Sequence, residues 1–107
     1  MIYEYRVYRI VPGKMEAINN RFRNVAVRLF EKHGMKVVGF WQTMVGENNE
    51  LTYILSFEDL NQMQRAWDSF RKDPEWIKTR KETEADGPLV AGITNKILVP
   101  TDYSPIK

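Results

Sequence analysis

The chain has no cysteine among its 107 residues. That excludes a disulfide framework, a thiolate nucleophile and any cysteine-based metal site. Histidine is nearly absent as well: His33 is the only one. A lone imidazole with no cysteine or clustered carboxylate beside it cannot build the usual zinc site, so neither a metal nor another cofactor is expected. No apolar run approaches the ~20 residues of a membrane span. The start, Ile2-Tyr3-Glu4-Tyr5, shows no basic or apolar leader pattern, so a cytoplasmic protein with no membrane partner is expected. Charge of one sign is scarce: 16 Lys and Arg against 14 Asp and Glu give a net +2, which does not call for nucleic acid. Gly-rich phosphate loops, Gly-x-Ser-x-Gly elbows and His-Glu-x-x-His helices are missing too.

What is present reads as one domain over residues 1–107. Ile2 to Val11 alternates β-branched, aromatic and charged residues, a strand stopped by Pro12-Gly13. From Lys14 to His33, Met15, Ile18, Phe22, Val25 and Leu29 recur at helical spacing, and Gly34 suits the C′ position. Two β-rich runs follow, Met35 to Gly46 and Leu51 to Phe57, joined by the polar turn Glu47-Asn48-Asn49-Glu50. Asp59 can cap a helix carrying Leu60, Met63, Trp67 and Phe70. Asp73-Pro74-Glu75 reads as a fresh helix start. Leu89 to Pro100 is a last strand. The order βαββα(α)β is α+β and ferredoxin-like: a four-stranded antiparallel sheet with its helices on one face.

The other face is where this reading looks for function. Tyr3, Tyr5 and Val7 are assigned to the helix-covered core. Glu4, Arg6 and Tyr8, at roughly 6.6–6.8 Å intervals, then line the open face with Ile2 and Ile10. On the second strand either Val37, Gly39, Trp41 and Thr43 or Val38, Phe40, Gln42 and Met44 join them. The first set is favoured, because Gly39 leaves room beside the indole. An apolar open sheet can pack against its own copy, so a homodimer with a barrel-like core is expected. Arg6 can hold a carboxylate or enolate, with Tyr8 or Glu4 relaying a proton, or it can serve an ion-pair network across the dimer seam. His33 is a weaker catalytic candidate, set against a helix-end role. A ligand pocket is drawn around Glu4, Arg6, Tyr8, Trp41, Thr43 and Tyr53, suited to a small apolar or aromatic molecule. Tyr3, Tyr5, Phe40, Trp41, Tyr53, Trp67 and Trp76 read as core aromatics that can also line a pocket for a flat organic molecule. The basic clusters Lys14, Arg21, Arg28, Lys32 and Lys72, Lys78, Arg80, Lys81 read as solvated faces interleaved with acids.

The chain also resembles the NIPSNAP family. The resemblance is carried by the opening Ile2-Tyr3-Glu4-Tyr5-Arg6-Val7-Tyr8, the Pro12-Gly13-Lys14 turn, His33-Gly34, Gly39-Phe40-Trp41, Gly46, Tyr53, Ser56-Phe57-Glu58-Asp59-Leu60, Arg65, Asp73-Pro74-Glu75-Trp76 and Ile97-Leu98-Val99-Pro100. Phe57 departs from the Tyr expected there. The resemblance implies a dimeric α+β barrel related to cofactor-free monooxygenases of antibiotic biosynthesis, and no known reaction. Three functions compete: a small-molecule binder or cofactor-free monooxygenase or isomerase, a non-catalytic dimerisation or adaptor module, and an RNA-binding domain. The third is disfavoured, because Leu51 to Phe57 lacks the glycines of an RRM signature strand.

Overall fold

A computed structural model describes Met1–Lys107. Strand β1 (Ile2–Ile10) pairs antiparallel with β3 (Glu50–Phe57) on one side and β4 (Val90–Leu98) on the other. Strand β2 (Lys36–Gln42) completes the edge, giving the order β2-β3-β1-β4. The ferredoxin-like α+β architecture is thus present.

One continuous helix follows β1: α1 (Met15–Arg21), a π-helical turn (Phe22–Ala26) and α2 (Val27–Lys32). Its end is a Schellman cap. Gly34 takes φ +84°, Gly34 N–H donates to Glu31 O (3.1 Å) and Met35 N–H to Phe30 O (2.8 Å). Glycine enters that left-handed backbone without the Cβ penalty. Helix α3 (Leu60–Lys72) is capped by Asp59, whose carboxylate accepts from Gln62 N–H at 2.8 Å. Helix α4 (Pro74–Thr83) starts directly after it, with Asp73 as cap and Pro74 in the first turn. Leu60 is exposed, so the buried stripe of α3 is Ala66, Trp67 and Phe70.

The second strand is shorter than its hydrophobic run. It stops at Gln42, and Met44 and Val45 stand in solvent (97% and 89% exposed) within the loop to Glu50. A bulge between Val37 and Gly39 also breaks its alternation. Val37 packs against the core while Gly39 and Trp41 lie on the opposite face, where the Trp41 ring covers Gly39 closely enough that a Cβ there would meet it at 2.6 Å. The bulge therefore splits the expected Val37, Gly39, Trp41, Thr43 set between the two faces.

The first strand is placed the other way round from the sequence expectation. Tyr8 and Ile10 are buried in the core with Tyr53, Leu55 and Phe57. Phe22 and Phe30 from the long helix pack on the Tyr53 ring at 5.5 and 6.1 Å. Glu4, Arg6 and Tyr8 share this helix-covered face, and Tyr3 and Tyr5 lie on the open one. The physical reason is that Glu4 finds its hydrogen-bond donors under α3, which makes burying its charge tolerable.

Candidate functional site

Glu4 is 2% exposed. Its carboxylate accepts from Arg6 Nη1 (2.9 Å), Trp67 Nε1 (2.7 Å) and Asn95 Nδ2 (2.9 Å). Three donors from β1, α3 and β4 thus meet one charge. Charge-assisted bonds of this kind offset a desolvation cost of several kcal/mol per buried ion.

Arg6 is held by that carboxylate and sits over the Trp67 ring at 4.8 Å, with Tyr8 and Tyr53 at 5.6 and 5.9 Å. Burial works against its charge, but Tyr53, Tyr8 and Glu4 outweigh burial and hold its pKa above the ordinary arginine value. Its Nε–H is buried and has no acceptor in the protein. Beside it the Tyr8 and Tyr53 hydroxyls are 2.8 Å apart. Burial, then Tyr8, pushes the Tyr53 phenol well above its usual pKa, with Arg6 pulling the other way. The site therefore holds a fixed cation beside the Tyr53 phenol, whose raised pKa keeps it neutral at neutral pH.

A cavity of about 530 Å³ opens here between the sheet and helices α3 and α4. It exists because β4 lies at the sheet edge, beyond the long helix. Arg6 and Tyr8 form part of its floor, Phe22 from the π turn and Trp67 one wall, Trp76 and Arg80 the other, and Ile93 the β4 side. A π turn re-aims side chains out of regular helical register and is frequent at functional sites. Arg21 and Glu84 close the far end through a 2.9 Å ion pair, with the Arg21 guanidinium 5.1 Å from the Trp76 ring.

The structure brings four of the sequence-selected residues together: Glu4, Arg6, Tyr8 and Tyr53. Of these, Arg6 and Tyr8 line the cavity. Trp41 is on the opposite sheet face, half exposed (52%). Thr43 lies beyond the end of β2, donating to Glu50 Oε1 at 3.0 Å. Both are separate from the cavity. His33 is elsewhere too: its Nε2 is 2.6 Å from Asp73 Oδ2, and its Nδ1 meets the Ser69 hydroxyl. Asp73 also accepts from Lys32 (3.0 Å) and from Glu75 N–H (2.8 Å). None of His33, Ser69 and Asp73 lines the cavity; together they tie the end of α2 to the α3–α4 junction. Trp67 and Trp76, read from the sequence as core aromatics that can line a pocket, do line the cavity, whereas Arg71 and Arg80 were missed as cavity walls. No three His, Cys, Asp or Glu side chains converge as a metal-binding group.

Comparison with known proteins follows this geometry. The architecture belongs to the class of small ferredoxin-like α+β domains with one open sheet face. The NIPSNAP family model matches residues 3–105, and the chain belongs to that family. It is 28% identical over 105 residues to Protein NipSnap of Drosophila melanogaster, covering 97% of this chain and 36% of that protein. The chain thus spans about a third of the length of that curated relative. A NIPSNAP family protein with unknown function from Agrobacterium tumefaciens is 26% identical, with a TM-score of 0.88 over 100% of this chain and 94% of that one. An uncharacterized NIPSNAP-like domain protein from Burkholderia xenovorans is 25% identical, TM-score 0.86, over 97% and 88% of the two chains. A putative antibiotic biosynthesis monooxygenase from Nitrosomonas europaea shares the fold at 12% identity, TM-score 0.65, over 94% and 98%. No helix is long and apolar enough to cross a membrane.

Glu4→Gln is expected to lower unfolding free energy by about 3–5 kcal/mol, because it leaves the buried Arg6 charge without its partner. Urea unfolding measures this, and a loss under about 1 kcal/mol would show an exposed pair instead.

Asp73 supplies a pH dependence. Hydrogen bonds from His33, then Lys32, hold its pKa well below the ordinary carboxylate value, with burial opposing. A depressed folded pKa contributes stability that is present above the unfolded pKa of about 4 and lost as pH falls below it. Wild type should therefore melt above Asp73→Asn at pH 7, and the gap should close on titration toward pH 2. A gap that stays constant with pH would contradict the pairing.

Proposed function

We propose that this NIPSNAP domain binds a small, flat, apolar or aromatic molecule carrying an acidic group, one per subunit of a homodimeric α/β barrel. The observation that carries the reading is Arg6. It is a cation fixed by Glu4, stacked on Trp67, lining the cavity, with a buried Nε–H that lacks an acceptor. A ligand carboxylate in the cavity meets this charge through the part of the guanidinium that lines it, as a charge-assisted hydrogen bond. Trp67, Trp76 and Phe22 supply flat apolar walls, and the cavity volume suits a small organic ligand.

A cofactor-free monooxygenase or isomerase is the alternative, and it needs a proton acceptor at the cavity. Glu4 is engaged by three donors, and Glu84 by Arg21 and Arg80. Both carboxylates are committed, which favours binding over acid–base chemistry. The adaptor reading rests on the open sheet face alone and leaves the cavity without a role.

Support for the homodimer comes from that open face. Tyr3, Tyr5 and Ile54 are only half-buried there, and Trp41 and Leu98 are exposed. A second copy laid over it removes these apolar surfaces from water. The cytoplasmic location expected from the sequence belongs to the same proposal and is tested by cell fractionation.

Calorimetry with 1-naphthoate tests the cavity. Wild type should bind, and the double variant Glu4→Gln/Arg6→Met should bind at least about tenfold more weakly, as expected for losing one charged hydrogen bond. The double replacement leaves no stranded charge, so the fold should survive. Equal binding by both proteins would remove Arg6 from the site.

Light scattering on a sizing column tests the assembly. Twice the 12.6 kDa chain mass is expected, with Trp41→Glu shifting it toward monomer. A wild-type mass of 12.6 kDa at micromolar concentration would rule out the barrel.

A further inference from the structure

The cavity does not end at Trp76. Arg71, Trp76, Arg80 and Glu84 are shared with a second recess of about 460 Å³ on the outer side of α4, to which Ile77 and Lys81 are added. The charge of this recess is lopsided. Arg71, Arg80 and Lys81 face it with Glu84 as the only carboxylate. That carboxylate is already divided, since Glu84 Oε2 accepts from Arg21 Nη1 (2.9 Å) and Arg80 Nε (3.3 Å). Lys81 takes part in none of the ion pairs of the chain. The acid nearest Arg71 is Asp68, 3.5 Å away, with both side chains more than half exposed, so that pair is screened and weak.

One indole joins the two regions. Arg6 lies over Trp67 at 4.8 Å and Arg71 lies over the same residue at 5.4 Å. Two guanidinium groups thus gather at a single ring, and Glu4 neutralises only the inner one. Like charges held in a partly dry cleft repel, and an anion placed among them turns that repulsion into attraction. Planar guanidinium forks match the oxygens of a phosphate better than they match any neutral group. Arg21, Arg71, Arg80 and Lys81 against Glu84 and Asp68 leave two positive charges unmatched, which a dianion balances and a monoanion does not.

We infer that the ligand is a phosphomonoester, or an equivalent dianion, of a flat apolar alcohol: its body lies against Trp76 in the inner cavity and its phosphate sits by Trp67, shared between Arg6 and Arg71, with Arg80 and Lys81 at the rim. The inference rests on the cavity reading above and adds the identity of the head group. It makes α4 the part of the fold that selects the ligand class, through the face that carries Arg80, Lys81 and Glu84.

The test compares 1-naphthyl phosphate with 1-naphthoate by calorimetry on the full chain at pH 7.5, where the phosphate, with a second pKa of about 6, is a dianion. The phosphate should bind about tenfold tighter or more, the gain expected for added charged hydrogen bonds. That advantage should shrink below pH 6. It should also shrink in Lys81→Gln, which changes one exposed residue outside the inner cavity and should leave 1-naphthoate binding and the melting temperature unchanged. Equal wild-type affinities, or an advantage undiminished in Lys81→Gln, would overturn the inference while the cavity reading stands. No binding of either compound would overturn both. Vesicles containing phosphatidate separate the two sources of a phosphate head: sedimentation of the protein with them in the absence of any 1-naphthyl phosphate binding would place the anion on a lipid surface and overturn the cavity assignment.

Discussion

A single buried carboxylate organises this molecule. Glu4 lies near the middle of the sheet, under α3, and gathers Arg6, Trp67 and Asn95 from three different elements. Without those donors the charge could not be buried there, and the alternation of β1 would have no reason to prefer this face. With them, the strand is oriented, α3 is held to the sheet through its indole, and the edge strand β4 is tied to β1 by a side-chain bond as well as by its ladder. The cation is fixed as a consequence. Arg6 cannot leave its carboxylate cheaply, so its position beside Tyr8, Tyr53 and Trp67 follows from the same bond.

The cavity follows from topology. The long helix covers β2, β3 and part of β1, while α4 has no buried residue of its own and leans on the rest through Trp76, which packs on Phe70 at 4.7 Å. A sheet edge left uncovered by one helix and roofed at a distance by another leaves a space, and the π turn puts Phe22 at its side. The His33–Asp73 bridge fixes the α3–α4 corner from behind.

Local features were legible in the sequence. The order of elements, the Gly34 cap and the Asp59 and Asp73 caps are set within a few residues of themselves, and Trp41 beside Gly39 showed its pairing by size. Strand face was not legible in β1. Both alternating sets mix aromatic with charged residues, and a charged set reads as the exposed one by default. What decides it is Trp67, 63 positions away. The end of β2 was obscured because Met44 and Val45 are apolar yet stand in a loop. Arg80 looked like part of an ordinary solvated face and Arg71 drew no reading at all, since nothing near them in the chain shows how α3 and α4 sit over the sheet. The candidate site was therefore half visible: Glu4, Arg6, Tyr8 and Tyr53 were named as a group and Trp67 and Trp76 as possible pocket aromatics, while Phe22, Arg71 and Arg80 joined them only through tertiary packing.

The central claim is that Glu4 and Arg6 form a buried pair beneath the helices. A double-mutant cycle on unfolding free energy, using Glu4→Gln, Arg6→Met and the double variant, measures their coupling directly. The account predicts a favourable coupling of about 1.5–3 kcal/mol, persisting at high salt, as for a charged hydrogen bond shielded from water. A coupling near zero, or one abolished by salt, would place the pair on the solvent-facing side of the sheet and contradict the account.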